Sequence, residues 1–128
     1  MIEEAQLLDK WPDEKIVAGR TLKGIPASPG VIEGQATVIT GYRDLSKIKT
    51  DTILVCPYMS PELTTIFPRI KAVVTDHGGK LASAATIARE YGIPAVAGTL
   101  TATESINDGD IISVDGTEGY VEIISPAQ

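Results

Sequence analysis

The sequence predicts an α/β domain in which strands alternate with short helices. Short apolar runs, rich in β-branched residues and separated by glycine and proline, are typical of strands. Two segments in the middle of the chain carry helix start signals. The last two apolar runs are close together in the sequence, which indicates a strand pair near the C-terminus. With 128 residues, 43% of them hydrophobic, the chain has the size of one domain and can bury a core.

The predicted strands begin after residue 20. Each is an apolar run bounded by turn residues, and in chain order the runs are LKGIPASPG, VIEGQATVIT, TILVCP, AVVTD, AVAG, DIISVDG and YVEII. Ahead of them, proline at position 12 interrupts a short polar segment, because proline cannot continue a helix interior. We therefore interpret residues 1–19 as an N-terminal arm or linker and residues 20–128 as the domain.

Two helices are predicted between the strands. The first covers residues 60–67, where Ser60 has the place of an N-cap, Pro61 that of the first helical residue and Glu62 a position in the first turn. The second covers residues 83–91, with alanine and isoleucine at helical spacing. Gly92 stops it, and Pro94 follows shortly afterwards.

Composition and charge exclude several classes of function. The formal charge is −6, the eleven Lys and Arg residues are scattered, and few residues are aromatic, so a nucleic-acid surface is not expected. No apolar run approaches the roughly eighteen residues of a membrane span, and no signal peptide is recognisable. Cys56 is the only cysteine, so neither a disulfide framework nor a metal site is predicted. We expect a cytoplasmic protein that contacts neither nucleic acid nor membrane.

The main candidate site is a strand that leads into two glycines and then a helix. The apolar run ending at Thr75 is followed by Gly78 and Gly79, and the predicted helix begins at Ser83. Glycine permits a close approach of backbone to ligand, and the amides at a helix N-terminus attract anions. We therefore expect these four residues to be able to bind a phosphoryl group. The alternative is ordinary turn chemistry, since GGKLAS lacks the spacing of a P-loop.

Four long stretches, in order, carry a resemblance to a known family. They are LKGIPASPGVIEGQATVI, TILVCPYMSPELTTIFPRIKAVVTDHGG, IAREYGIPAVAGT and INDGDIISVDGTEGYVEI. Together they resemble the phosphohistidine swivelling domain, the mobile domain of phosphoenolpyruvate-utilising enzymes such as phosphoenolpyruvate synthase, pyruvate phosphate dikinase, rifampicin phosphotransferase and phenylphosphate synthase. The resemblance implies a swivelling β/β/α fold, with mixed sheets in a sandwich-like or barrel-like arrangement and two or three short helices.

The chain departs from this family at the position that carries its chemistry. The resemblance implies a histidine at the start of the helix, four positions after the second glycine, which accepts a phosphoryl group at one active site and delivers it at another. In this chain that position is Ser83. A serine there is a good helix N-cap, whereas an unactivated hydroxyl is a weak nucleophile. His77, the only histidine, lies in the same turn but before the glycines, where imidazole could act as acceptor or base.

The resemblance and this departure lead to three hypotheses. The first is a stand-alone mobile domain that acts as a non-catalytic or accessory subunit of a phosphotransfer complex, with any histidine supplied by another chain. The second is an active carrier that uses His77 or Ser83. The third is an anion- or phosphate-binding module. In each case the domain alone is expected to bind no cofactor. The donor, ATP or phosphoenolpyruvate, is expected on partner chains, an ATP-grasp-type nucleotide-binding subunit and a substrate- or phosphoenolpyruvate-binding subunit.

Overall fold

The strands and helices of the computed structural model follow the predicted order. It describes residues 20–40, 47–58, 61–79 and 83–126. The strands are β1 (Arg20–Lys23), β2 (Ile25–Ser28), β3 (Val31–Val38), β4 (Thr52–Cys56), β5 (Ile70–Thr75), β6 (Ala95–Ala97), β7 (Ile111–Asp115) and β8 (Tyr120–Ser125). A 3₁₀ helix spans Pro61–Arg69, α1 spans Ser83–Tyr91 and α2 spans Ala102–Ser105.

The eight strands pair in the order β1-β8-β7-β3-β4-β5-β6-β2. Strands β3, β4, β5 and β6 are consecutive in this order and run parallel to one another, and the remaining pairs are antiparallel. Strand β3 takes part in two sheets, because residues 31–35 pair with β7 and residues 36–38 pair with β4. The first half of β3 therefore completes an antiparallel sheet, and the second half begins a mostly parallel one.

Two hydrophobic clusters show that the domain has three layers. Every residue of β4 is buried, and its side chains alternate between the clusters. Ile53 and Val55 face the antiparallel sheet, whereas Leu54 and Cys56 pack with residues of the helices, among them Phe67. The mostly parallel sheet is thus covered on both faces, as parallel sheets usually are. This arrangement confirms the predicted β/β/α fold with mixed sheets.

The helices agree with the sequence in position but not all in type. Helix α1 covers the predicted residues, and its buried face carries Ala85 and Ala88. The first predicted helix is a 3₁₀ helix, and it contains Pro68, which has no N–H to donate to an α-helical bond. Its predicted cap, Ser60, lies outside the described residues. Helix α2 is the third short helix that the resemblance allowed.

Two further expectations concern the N-terminal arm and membrane-spanning segments. The predicted arm, residues 1–19, lies outside the described residues, and the domain boundary stays a prediction. Within the ranges that are described, no helix combines the length and the apolar character needed to cross a membrane.

Candidate functional site

The strand–glycine–helix segment lies at the carboxyl ends of the parallel strands. Strand β5 has β4 on one side and β6 on the other, so the loops that follow these three strands meet at one edge. We call this the carboxyl edge, and it comprises residues 57–58, 77–79 and 98–101. In α/β folds, ligands bind outside the carboxyl ends of parallel strands.

Thr75, the last residue of β5, is held from both sides. Its hydroxyl donates to the carbonyl oxygen of His77 at 2.7 Å, which closes the turn from within. Its own carbonyl oxygen accepts from the Thr99 amide at 3.1 Å and from the Thr99 hydroxyl at 3.0 Å. The hydroxyl that we expected to face a phosphoryl group thus has a partner inside the turn, and its contact with phosphate stays a prediction.

Asp76 is a structural residue of the site that the sequence reasoning missed. Its side chain is 6% exposed, and each carboxylate oxygen accepts a hydrogen bond from Thr103. The Thr103 amide donates to Oδ1 at 2.9 Å, and the Thr103 hydroxyl donates to Oδ2 at 2.6 Å. We call these two bonds the Asp76–Thr103 clasp. Such charge-assisted bonds are stronger than neutral ones, so the clasp ties the turn after β5 firmly to α2.

Beyond Asp76 the turn becomes exposed. His77 is exposed, and its amide donates to the carbonyl oxygen of Pro57 at 2.9 Å. Gly78 is also exposed and has a φ of 111°, a conformation that glycine adopts without strain. Gly98, from the loop after β6, approaches so closely that a Cβ on it would lie 3.0 Å from the Gly78 carbonyl oxygen. The positive φ of Gly78 explains why glycine stands at this position, and phosphoryl binding by Gly78 and Gly79 stays a prediction.

Comparison with known families decides what kind of domain carries this turn. Residues 48–119, which include β4, β5, α1 and the carboxyl edge, match the family described as the mobile domain of PEP-utilising enzymes. The chain belongs to this family. The predicted resemblance is therefore confirmed, and the coarse function is that of a mobile domain from phosphotransferases.

Individual relatives agree with this assignment. The mobile domain is 48% identical to part of an uncharacterized phosphotransferase of Bacillus subtilis, over 80% of this chain and 12% of that protein. It is 46% identical to part of the rifampicin phosphotransferase of the same organism, over 89% of this chain and 13% of that protein. The chain thus spans about an eighth of the length of these relatives.

A solved structure agrees as well. The solution structure of an Enzyme I protein superimposes with a TM-score of 0.55 and 31% identity. The superposition covers 62% of this chain and 33% of that one.

Ser83 is the first residue of α1 in the mobile domain, the place that the resemblance assigns to a phosphorylated histidine. The helix is fixed on the sheet by its buried alanines and by Arg89, whose Nη1 donates to the carbonyl oxygen of Ala27 in β2 at 2.6 Å. Residues 80–82, which join Gly79 to Ser83, lie outside the described residues. The roles of Ser83 as cap or acceptor stay predictions.

Other groups near the edge have little capacity for chemistry. Burial, together with the nearby Asp76 carboxylate, raises the pKa of the Cys56 thiol to about 12, so it is protonated at neutral pH. Across the described part of the chain, no cluster of three or more His, Cys, Asp or Glu side chains is arranged to hold a metal ion. On the described part of the turn, His77 carries an exposed imidazole side chain.

Proposed function

We propose that this mobile domain is an accessory, non-catalytic unit of a phosphotransfer assembly. The observation that carries the proposal is the residue at the start of α1. The chain matches the family over residues 48–119, and its helix α1 begins at Ser83, the position to which the resemblance assigns the phosphoryl-carrying histidine. The domain is then retained for its shape and its contacts, and the phosphoryl group is carried elsewhere.

The chemistry of the turn supports this proposal. A serine hydroxyl needs an adjacent general base to become a useful nucleophile. The Asp76 carboxylate is occupied by both Thr103 donors, and the Cys56 thiol is buried and protonated. Neither of these described groups is therefore available to activate Ser83.

Exposure of His77 favours one alternative, an active carrier. An exposed imidazole on the turn could form a phosphorus–nitrogen bond while the donor's phosphorus–oxygen bond breaks, or could serve as base for Ser83. This alternative is an outcome of the experiment below.

The size of the relatives supports a proposal about partners. Because the chain matches only 12 to 13% of these proteins, the remaining functions of a phosphotransferase lie outside the matched segment. We propose that an ATP-grasp-type nucleotide-binding unit and a substrate- or phosphoenolpyruvate-binding unit handle the donor and the acceptor. The domain itself then binds no cofactor.

A chimera tests the proposal. The segment of the Bacillus subtilis rifampicin phosphotransferase that matches this chain is replaced by the chain itself, once unchanged and once with Ser83→His. Each chimera is incubated with ATP and, separately, with phosphoenolpyruvate, and its intact mass is measured at neutral pH. The unmodified enzyme is the positive control.

We expect the mass of one phosphoryl group to be added to the Ser83→His chimera and not to the unchanged one. Uptake by the unchanged chimera would contradict the accessory role. An acid-labile label lost in His77→Asn would then identify His77 as carrier. An acid-stable label lost in Ser83→Ala would identify Ser83.

A further inference from the structure

A cleft beside β3 lies apart from the carboxyl edge. Its volume is about 340 Å³, and its lining comprises residues 35–37 of β3, Lys47, Lys49, Asp108 and Gly109. Strand β4 separates β3 from β5, and none of these residues belongs to the loops after β4, β5 and β6. We call this the β3 cleft. Its volume falls in the range of small-molecule sites, roughly 300 to 1,000 Å³.

Backbone bonds hold the loop before β7 against β3 and so fix one wall of the cleft. The Gly109 amide donates to the Ala36 carbonyl oxygen at 2.9 Å, and the Ala36 amide donates to the Asp110 carbonyl oxygen at 2.8 Å. The Val38 amide donates to Oδ1 of Asp108 at 2.6 Å. The Asp108 carboxylate therefore has a fixed place in the lining.

Lys47 is held in position on the other wall. Its ammonium group donates to the Val38 carbonyl oxygen at 2.8 Å and forms a salt bridge with Oδ2 of Asp108 at 2.6 Å. An ammonium group has three N–H donors, and these two contacts occupy two of them. Lys47 thus keeps one donor for a ligand, on a nitrogen whose place is set by the fold.

Lys49 adds a second positive charge to the cleft. Its side chain is exposed, and it forms no hydrogen bond or salt bridge with any other residue that the structure describes. Burial works to raise the pKa of Asp108, but the hydrogen bonds from Lys47 and Val38 and the charges of both lysines outweigh it. The Lys49 ammonium group is therefore close enough to act on a charge inside the cleft.

The other polar groups of the lining already have partners. The Thr52 hydroxyl donates to the Gln35 carbonyl oxygen at 2.9 Å, so the Thr37 hydroxyl is the donor in the 2.7 Å bond between the two threonines. The Gly109 carbonyl oxygen accepts from the side-chain amide of Gln35 at 3.4 Å, and the Asp108 carboxylate accepts the two bonds given above. The lining therefore offers a ligand chiefly the N–H donors of its lysines.

The charge of the cleft is opposite in sign to that of the protein. Two ammonium groups and one carboxylate leave a surplus of one positive charge in the lining, whereas the chain has a formal charge of −6. A group that carries negative charge and hydrogen-bond acceptors is complementary to such a lining.

We infer that the β3 cleft binds the anionic group of a small molecule, a phosphate or a carboxylate, between Lys47 and Lys49. Lys47 is the oriented donor, and Lys49 supplies a charge that the described fold does not use. Phosphate and carboxylate oxygens both accept charge-assisted hydrogen bonds from ammonium groups. The inference uses neither Ser83 nor the turn after β5, so it is independent of the proposed function.

A titration of the isotope-labelled chain, followed by amide NMR spectra, tests this inference. Potassium phosphate and, separately, potassium acetate are added at neutral pH, and potassium chloride keeps the ionic strength constant. We expect the amide signals of Lys49 and Gly109 to shift and saturate, while that of Gly92, at the end of α1, stays in place. The anion with the smaller dissociation constant identifies the class of ligand.

Substitutions separate the cleft from a general effect of charge. Lys49→Gln should leave the urea midpoint unchanged and raise the dissociation constant about tenfold, as expected for the loss of one charge-assisted hydrogen bond. Lys49→Arg keeps the charge and should retain most of the affinity. Lys23→Gln is the matched control, because it removes the same charge from an exposed lysine of β1 outside the cleft, and it should bind as the unchanged chain does.

The outcomes are distinct from those of the chimera experiment. If neither anion gives saturable shifts, or if Lys49→Gln and Lys23→Gln weaken binding equally, the β3 cleft is not an anion site. Neither result bears on the accessory role, and phosphoryl uptake by the unchanged chimera would overturn that role without affecting the cleft.

Discussion

The substitution Asp76→Ala tests directly how much the Asp76–Thr103 clasp stabilises the site. Asp76 is 6% exposed, and the substitution removes two acceptors that lie 2.9 and 2.6 Å from the Thr103 donors. It leaves the backbone bonds of residue 76 in place. Its effect therefore reports the carboxylate rather than the turn as a whole.

The magnitude follows from the number and kind of bonds. A hydrogen bond to a charged group contributes about 1.5 to 3 kcal/mol, so the two together correspond to about 3 to 6 kcal/mol. Thr103 is only half-buried, so water can reach its donors in the variant, and the cost of burying a carboxylate is also removed. We expect the free energy of unfolding to fall by about 2 to 4 kcal/mol.

Urea unfolding at neutral pH, followed by circular dichroism, measures this loss. Asp76→Asn retains an acceptor for the Thr103 amide, so it should cost about half as much. In a double-mutant cycle with Thr103→Val, the coupling energy should be about 1 to 2 kcal/mol. Glu104→Gln, an exposed acid next to Thr103, is the control. A loss in Asp76→Ala no larger than that of the control, or a coupling energy near zero, would refute the role of the clasp.

Three further predictions concern the fold around the site. Gly116→Ala should lower the free energy of unfolding, measured in urea, by at least about 3 kcal/mol, because its Cβ would lie 1.8 Å from the Ser28 carbonyl oxygen. Gly92→Ala should lower it by only about 1 kcal/mol, because Gly92 has a φ of 72° but open space around it. Burial raises the pKa of Cys56 from 9.0 to about 12. The thiol is therefore protonated in both the folded and the unfolded state below pH 9, and it does not change the free energy of unfolding there. Above pH 9 the unfolded state loses its proton first, so the free energy of unfolding should fall by about 1.4 kcal/mol per pH unit. Cys56→Ala should lack that part of the slope in pH-dependent unfolding. Partial burial works to raise the pKa of Asp108, but hydrogen bonds from Lys47 and the Val38 amide outweigh it and lower this pKa from 3.8. Asp108→Asn should therefore cost up to about 1 kcal/mol at neutral pH, and the difference should disappear in unfolding curves taken as the pH falls below 3.8.

Local patterns in the sequence were enough to predict the strands and α1. Burial alternates along β7 and β8, and helix α1 ends just before Gly92. Both features depend on residues that are neighbours in the sequence, so a short stretch of sequence is enough to predict them. The need for glycine in the turn after Thr75 was visible for the same reason.

Contacts between distant segments could not be predicted in this way. Asp76 and Thr103 are 27 residues apart, and nothing near either residue shows that they meet. Leucine at position 100 gives no sign of a positive φ, because local preference there would favour glycine or asparagine. The 3₁₀ form of Pro61–Arg69 likewise depends on how the segment packs, with Ile66 and Phe67 buried in the core.

The division of β3 between two sheets has a consequence for how the domain opens. Residues 31–35 pair with β7 and residues 36–38 pair with β4, so one strand closes both ladders. Neither sheet can separate without taking a strand from the other, which makes the two a single cooperative unit. Native-state hydrogen exchange should therefore give the amides of β4 and β7 the same opening free energy, equal to that of global unfolding.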